Sequence, residues 1–349
     1  MFCLDLEGVD DRHYSRQSGA GTGEDPVRRG AEMDGSEVDA SAPDAGPLLP
    51  RSLCDKVDVL RGRPLEVTEL SGGLTNRNYK VSTPDGTYVV RISDGATGVL
   101  AIDRDNEYRN SVIAAESGVG APVHAYVPEE SALVIGYLVG RTLTDADFGR
   151  PGVIERVAAS CRQLHRGERF VNDFDMFDIQ RGYLTIVRQR GYRLPDDYSE
   201  FDEAVARIRG ALAVKRDATV ACNNDLLAGN FIDNGDGGRI RLIDYEYSGN
   251  NDPCFELGNI WSECHLDDDQ FELLVSSYYG ARLTNKLARA RLWGLVSQYG
   301  WTLWASIQDG TSDIEFDFWT WGLEKYERAS ATFRGPLLDG LIADVQRSD

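Results

Sequence analysis

Residues 222–230 read CNNDLLAGN, and the sequence LIDYEY follows at 242–247. The first segment places Asp225 five residues before Asn230, and the second places Asp244 directly after a short apolar run. Each of these residue types alone is far more common as a turn or cap residue. An aspartate, an asparagine five residues later and a second aspartate at a strand end form a much more specific combination.

These three oxygen-bearing side chains fit phosphoryl transfer from ATP. That reaction needs a carboxylate to orient and deprotonate the attacking hydroxyl, and oxygen ligands for the Mg²⁺ ions that bridge the phosphates. We therefore assign Asp225 as the catalytic base, and Asn230 and Asp244 as the ligands of Mg²⁺.

A glycine-containing loop upstream predicts a site for phosphate. Residues 70–79 read LSGGLTNRNY, and glycines allow backbone amides to approach phosphate oxygens. Most such turns only join hairpins, but here Arg91 lies on the strand after next and Glu107 on the following helix. A basic side chain that contacts phosphate and is held by a helix glutamate is the protein-kinase arrangement, whereas an isolated surface pair contributes little. The residues assigned to the nucleotide are Ser71, Gly72, Gly73, Thr75, Asn76, Arg91 and Glu107.

The hydrophobic pattern predicts an α+β fold with two lobes. In a small β-rich lobe over 51–138, we expect one helix over 103–117 and strands over 65–70, 78–82, 87–92 and 133–139. The apolar face of this helix is predicted to consist of Tyr108, Val112, Ile113 and Ala115. The larger lobe, 139–349, is mainly helical, with a β-like stretch over 239–243 and helices over 153–165, 200–214, 268–279 and 287–308.

Composition and charge exclude some classes of function. The 349 residues include 37 basic and 57 acidic side chains, for a net charge of −20. This charge argues against a nucleic-acid-binding surface and is compatible with a cationic partner. Residues 1–50 hold 11 acidic and four basic side chains and few large apolar ones. We therefore predict that this acidic extension is disordered.

The sequence also predicts a cytoplasmic protein. No apolar run approaches the roughly 18 residues of a membrane helix, and the N-terminus lacks the features of a secretory signal. The six cysteines are scattered and match neither zinc spacing nor a disulfide framework. We expect neither a membrane nor a nucleic acid as a partner.

Several motifs resemble the choline/ethanolamine kinase family, part of the aminoglycoside phosphotransferase superfamily with its protein-kinase-like fold. These motifs are SGGLTN at 71–76, RI at 91–92, NEYRN at 106–110, NDLL at 224–227, DYEY at 244–247 and NDP at 251–253. The resemblance covers about residues 53–335 and implies ATP-dependent phosphorylation of a small alcohol. It implies the same roles for Asp225, Asn230 and Asp244, and adenine binding by the backbone near 136–138.

The last third of the chain is rich in aromatic residues, and all six tryptophans lie at position 261 or later. Trp301 and Trp304 share one helix face, and Phe318 and Trp321 repeat the spacing. In an arbitrary helical protein such a stripe is more often core. The resemblance implies instead that ring faces hold the quaternary ammonium of choline, with Glu263 as countercharge. The residues matching that site are Tyr247, Glu263, Trp301, Trp304, Phe318 and Trp321.

Phe318 and Trp321 stand at positions where relatives often carry tyrosine. This difference keeps the ring faces and removes the hydroxyl groups, which favours choline over ethanolamine.

Two further interpretations stay open at this point. The first alternative is a kinase for another amino alcohol, such as ethanolamine or thiamine, or for an aminoglycoside. The second is a catalytically impaired protein that binds a nucleotide and an amine, because Asn223 stands where the family has histidine.

Overall fold

The structure is a computed structural model that describes residues 49–70, 76–93, 100–235 and 237–349. Most of the predicted acidic extension therefore lies outside the described residues, as do the predicted nucleotide-loop residues Ser71, Gly72, Gly73 and Thr75. Leu49, at the end of that extension, is buried with Leu53 in the apolar cluster of the first lobe. The division of the chain into an extension and two lobes stays a prediction.

The first lobe is built on a five-stranded antiparallel sheet with the strand order β1-β2-β3-β5-β4. Its elements are α1 (Arg51–Lys56), β1 (Glu66–Leu70), β2 (Asn76–Thr83), β3 (Gly86–Ser93), α2 (Arg104–Glu116), β4 (Val123–Val127) and β5 (Ala132–Gly136). Strand β3 is central, with Asn78 and Leu133 on either side of Arg91. This position accounts for the burial of a basic side chain in the sheet.

The predicted apolar face of α2 is wrong. The buried side chains of this helix are Glu107, Asn110, Ser111 and Ala114. The four residues of the predicted apolar face are all only half-buried. The helix turns polar groups inward because they have partners there. The Asn110 amide donates to Ser248 Oγ at 3.0 Å and to Asn172 Oδ1 at 2.8 Å.

The second lobe is mainly helical, and together the lobes confirm the predicted α+β class. Its helices are α3 (Val153–His165), α4 (Met176–Arg190), α5 (Asp202–Val214), α6 (Pro253–Glu263), α7 (Asp268–Tyr279), α8 (Thr284–Thr311), α9 (Phe318–Arg334) and α10 (Leu337–Asp344). Five short strands form two small antiparallel sheets, β6-β8-β9 and β7-β10. They are β6 (Arg141–Thr142), β7 (Val220–Cys222), β8 (Phe231–Asp233), β9 (Arg241–Leu242) and β10 (Gly249–Asn251).

Helix α8 forms the centre of this lobe and contacts α4, α6 and α9. It approaches α6 at Gly258, where a Cβ atom would collide with the carbonyl of Ala290 and the amide nitrogen of Gly294. This close approach fixes the aromatic residues of α8 relative to the end of α6. Across the described ranges, no helix, α8 included, combines the length and apolar character needed to cross a membrane.

Candidate active site

The loop after β7 carries the predicted base, and Asn223 joins it to the end of β9. The Asn223 side-chain amide donates to the carbonyl oxygens of Asp244 at 2.8 Å and Ile243 at 3.1 Å. Its side-chain oxygen accepts the backbone N–H of Asp225 at 3.1 Å. Every hydrogen-bonding atom of this fully buried amide group is therefore used to hold the loop.

Glu256, a buried residue that was not predicted from the sequence, also holds this loop. Glu256 of α6 accepts the backbone N–H groups of Asn223 at 2.8 Å and Asn224 at 2.7 Å. Asn224 has φ of 67°, in the left-handed region that costs most L-residues about 1–2 kcal/mol. Its side chain offsets part of this cost by donating to the carbonyl of Tyr247 at 3.1 Å.

The structure brings the predicted base and the two predicted metal ligands together. The Asn230 side-chain amide donates to the carbonyl oxygen of Asp225 at 2.8 Å. The Asn230 backbone carbonyl accepts the N–H of Ile243, the residue before Asp244, at 3.1 Å. Asp244 adopts a left-handed φ of 64°, a backbone strain that clusters at functional sites.

Two side chains at this point fit a divalent metal ion. Asn230 Oδ1 is buried, and it has no hydrogen-bond partner among the residues that the structure describes. An amide oxygen left in this way is costly unless a ligand completes it. The carboxylate of Asp244 is the second oxygen donor, and carboxylate and amide oxygens are the ligands that Mg²⁺ takes from proteins.

Arg91 lies where the two lobes meet and pairs with carboxylates from both. Its guanidinium contacts Glu107 of α2, Asp244 Oδ1 at 2.7 Å and Glu246 Oε2 at 3.0 Å. The Arg91 residue is only 4% exposed. The pair of Arg91 and Glu107 predicted from the sequence is therefore a buried interaction, not a solvated surface bridge.

A second arginine, Arg104, was missed by the sequence analysis. Its Nη1 atom lies 2.6 Å from Glu107 Oε2 and 3.2 Å from Glu246 Oε2. Its Nη2 atom donates to Asn76 Oδ1 at 2.9 Å, and the Asn76 amide donates to Glu246 at 3.0 Å. Two cations thus face three carboxylates in what we call the ion cluster: Arg91, Arg104, Glu107, Asp244 and Glu246.

Burial and charge separate the two aspartates in their affinity for protons. Burial raises the pKa of Asp225 well above its usual value, and the nearby charges of Asp244, Glu246 and Glu263 raise it further. Burial acts in the same direction on Asp244, but the charge and hydrogen bond of Arg91, together with the charge of Arg104, contribute to a net lowering of the pKa of Asp244. Asp244 is therefore held as an anion, while Asp225 has the stronger tendency to take a proton.

Five predicted aromatic residues meet in one cluster, which we call the acceptor box: Tyr247, Trp301, Trp304, Phe318 and Trp321. Trp304 is at its centre, and its indole N–H donates to Tyr247 Oη at 2.8 Å. The Trp304 ring lies 5.8 Å from the ring of Phe318 and 5.5 Å from that of Trp321, centroid to centroid. The Tyr247 and Trp301 rings are 5.0 Å apart, so the structure brings all five together.

The predicted countercharge, Glu263, has a cation of the protein as its partner. Lys325 Nζ lies 2.6 Å from Glu263 Oε2, and both side chains are only 5% exposed. The same ammonium is 4.0 Å from the centroid of the Trp321 ring. Lys325 was not predicted from the sequence, because its partner lies 62 residues earlier in the chain.

An apolar cluster lies beside the backbone predicted to bind adenine. Strands of both lobes contribute to it, and Gly136–Leu138 borders it. Its buried members are Val89, Ile232 and Ile243, with Leu70, Ile135, Tyr137 and Leu138 packed around them. Such a surface suits a flat heterocyclic base.

Comparison with known proteins identifies the family of this chain. Residues 67–280 match the family described as "Choline/ethanolamine kinase". Ethanolamine kinase 2 of Rattus norvegicus is 26% identical over 254 residues, which cover 66% of this chain and 66% of the rat protein.

Solved structures show the same architecture. A choline/ethanolamine kinase family protein from Mesorhizobium loti superimposes with a TM-score of 0.73 at 29% identity, covering 85% of this chain and 97% of that one. The choline kinase LicA from Streptococcus pneumoniae has a TM-score of 0.68 at 23% identity, covering 81% of this chain and 97% of that one. LicA has also been solved in complex with AMP.

Proposed function

This chain belongs to the choline/ethanolamine kinase family, and from that premise we propose that it transfers the γ-phosphoryl group of ATP to the hydroxyl of choline, giving phosphocholine. One observation carries the choice of choline. The acceptor box consists of aromatic rings, while the hydroxyl of Tyr247 and the carboxylate of Glu263 beside the box already have partners inside the protein.

The nucleotide half of the proposal is supported by the ion cluster and the apolar cluster. We propose that adenine lies against the apolar cluster and the backbone of 136–138, and that Arg91, steadied by Glu107, faces the phosphates. Ser71, Gly72, Gly73, Thr75 and Asn76 are proposed to complete the phosphate site. The structurally similar LicA has been solved in complex with AMP, which supports a nucleotide as a ligand of this chain.

Asn230 and Asp244 are the residues that would hold Mg²⁺. When bound, the ion neutralises charge on the phosphates and on the transferred group. The chain itself orients both ligands. The Asn230 amide is anchored on the carbonyl of Asp225, and the Asp244 carbonyl is anchored on Asn223.

Asp225 is proposed to orient the hydroxyl of choline and to accept its proton. A general base works best when its proton affinity approaches the operating pH, and burial together with neighbouring carboxylates raises the pKa of Asp225 in that direction. The hydrogen bonds of Asn223 and Glu256 to the loop backbone hold this carboxylate in place.

Choline fits the acceptor box better than a primary amine does. A quaternary ammonium donates no hydrogen bonds and is attracted to aromatic faces by about 0.5–2 kcal/mol for each contact. The ammonium group of ethanolamine needs three acceptors. Among the described residues of the box and its countercharge, Tyr247 Oη accepts from Trp304, and Glu263 pairs with Lys325.

The alternative of an impaired enzyme is not favoured by the geometry around Asn223. Its amide makes the three side-chain hydrogen bonds that fix the loop, and its backbone N–H is held by Glu256.

An aminoglycoside as the acceptor would call for several free carboxylates. The carboxylate of Glu263, beside the acceptor box, is already paired with Lys325.

The proposal is tested by turnover of Mg²⁺-ATP with choline, ethanolamine, thiamine and an aminoglycoside as acceptors. We expect choline to give the highest kcat/KM, and we expect activity to be lost with a chelator and restored by Mg²⁺. Absence of choline-dependent turnover in a folded, Mg²⁺-supplied sample would overturn the proposal. Higher kcat/KM with another acceptor would replace choline by that alcohol.

A further inference from the structure

We propose that Lys325 is a specificity-determining residue that disfavours primary ammonium acceptors by occupying Glu263. This inference rests on the proposed function and adds to it the device that distinguishes a methylated from an unmethylated amine. It concerns a lysine for which the sequence motifs assign no role.

Lys325 is built into the wall of the acceptor box. Phe318, Trp321 and Lys325 are at positions i, i+3 and i+7 of α9, so they share one helix face. The Lys325 ammonium touches the carboxylate of Glu263 at 2.6 Å and lies 4.0 Å from the centre of the Trp321 ring. Lys325 thus contacts a carboxylate and an aromatic ring, which are the two kinds of partner that the ammonium group of a substrate would use.

Stability alone gives little reason for this pair. Removing two charges from water is expensive, and well-packed apolar residues of similar volume often replace a buried ion pair without loss. A methionine at position 325 and a glutamine at 263 would fill nearly the same space. A charged pair at this point therefore calls for a functional explanation.

The pair acts differently on the two classes of acceptor. The positive charge of Lys325 repels every cationic substrate, so repulsion does not discriminate between them. A primary ammonium also needs a carboxylate to accept its N–H groups, and hydrogen bonds to charged groups are among the strongest in proteins. Because Lys325 already binds Oε2 of Glu263 at 2.6 Å, ethanolamine has to share that carboxylate with an internal ammonium and loses part of the compensation, whereas choline relies on the faces of Trp304 and Phe318.

The test is a series of acceptors with zero to three N-methyl groups, from ethanolamine to choline, at saturating Mg²⁺-ATP. In the wild type we expect kcat/KM to rise with each methyl group. In Lys325→Met, Glu263 becomes available, and we expect the ratio of kcat/KM for ethanolamine to that for choline to rise about 10- to 100-fold. Lys325→Arg keeps a cation on Glu263 and should keep the wild-type ratio.

A double variant distinguishes the effect of the freed Glu263 charge from the effect of the added space. Lys325→Met combined with Glu263→Gln removes both charges, and we expect its ratio to stay near that of the wild type. Lys325→Met alone leaves a buried carboxylate without its partner, so its melting temperature should fall, and ethanolamine should restore it more than choline does. Lys325→Gln keeps a hydrogen-bond donor near Glu263, which should protect the fold. We expect it to raise the ratio of kcat/KM for ethanolamine to that for choline less than Lys325→Met does.

The outcomes are distinguishable. Folded Lys325→Met and Lys325→Gln that phosphorylate choline with an unchanged ratio would overturn the inference and leave the proposed function standing. An equal rise in the double variant would also overturn it, since added space would then be the cause. A wild-type protein that phosphorylates none of the four acceptors would overturn the proposed function and this inference with it.

Discussion

The ion cluster and the acceptor box are both buried, but they differ in how much charge they contain. In the ion cluster, two arginines face three carboxylates, and Arg91 alone contacts Glu107, Asp244 and Glu246. The acceptor box consists of aromatic rings, and beside it the ion pair of Lys325 with Glu263 lies against the ring of Trp321. The first region concentrates fixed charge where phosphates and metal are proposed to bind. The second has fewer charged groups, and ring faces are proposed to dominate recognition of the acceptor there.

The choice of basic residue follows the same difference. Arginine presents a planar fork of donors that serves several carboxylates at once, as Arg91 does. Lysine is a compact charge on a flexible stem, which suits one carboxylate and one ring face. Both regions act on the carboxylate of Asp225, because the charges of Asp244 and Glu246 in the ion cluster and of Glu263 beside the acceptor box all raise its pKa.

The largest effect is expected at Asp225. Asp225→Asn should lower kcat about 10²- to 10⁴-fold, because the carboxylate that accepts the proton is lost. The fold should tolerate the change, since the loop is held through the backbone N–H and carbonyl of Asp225. Kinetics and thermal unfolding check both parts. A kcat within a few-fold of wild type would contradict the assignment.

Breaking the ion cluster should affect stability and nucleotide binding together. Arg91→Met removes one of two cations that offset three buried carboxylates, and we expect the free energy of unfolding to fall by about 3–5 kcal/mol. KM for ATP should rise in the protein that remains folded. Arg91→Lys is the matched control, with the charge kept and the fork lost. Urea unfolding unchanged from wild type in Arg91→Met would show that the cluster is not needed for stability.

Breaking the acceptor box should affect one substrate only. Trp304→Leu removes the central ring and its hydrogen bond to Tyr247. We expect KM for choline to rise about 2- to 30-fold, the value of one cation–π contact, with KM for ATP unchanged. Trp304→Phe keeps a ring face and should show less of the effect. An equal rise in both KM values would mean that the two regions are not separate.

The smallest effect is expected for Asn223→His, which restores the residue found in the family. The asparagine side chain already donates to Ile243 and Asp244 and accepts from Asp225. Histidine offers two ring nitrogens for these three hydrogen bonds, so we expect kcat to stay the same or fall, within about tenfold. Steady-state kinetics decide the point. A large gain in kcat would support the impaired-enzyme alternative instead.

The sequence predicted local features well where local signals define them. Helices α3 and α7 have the predicted bounds, and α7 begins with a capping box in which Asp267 and Gln270 exchange hydrogen bonds. Helix α6 was absent from the predicted elements, although Asp252 as N-cap followed by Pro253 is a recognisable start signal. The family fold and the association of Asp225, Asn230 and Asp244 followed from motif order.

Contacts between distant segments were not predictable in this way. The inward face of α2 is polar because Glu107 pairs with Arg91 on the neighbouring strand β3 and Asn110 bonds to Ser248 of the other lobe, which no periodicity of α2 alone reveals. The roles of Glu256 and Lys325 likewise depend on contacts with residues that are 32 and 62 positions away in the sequence. The folded structure is needed to show that a cation of the protein lies beside the acceptor box.

The most direct measurement is a competition between choline and ethanolamine, at equal concentration, for a limiting amount of Mg²⁺-ATP, with the two phosphorylated products resolved by ³¹P NMR. Phosphocholine is predicted to dominate, because ring faces bind the quaternary ammonium while Lys325 occupies Glu263. Phosphoethanolamine as the main product would contradict the account of the acceptor box.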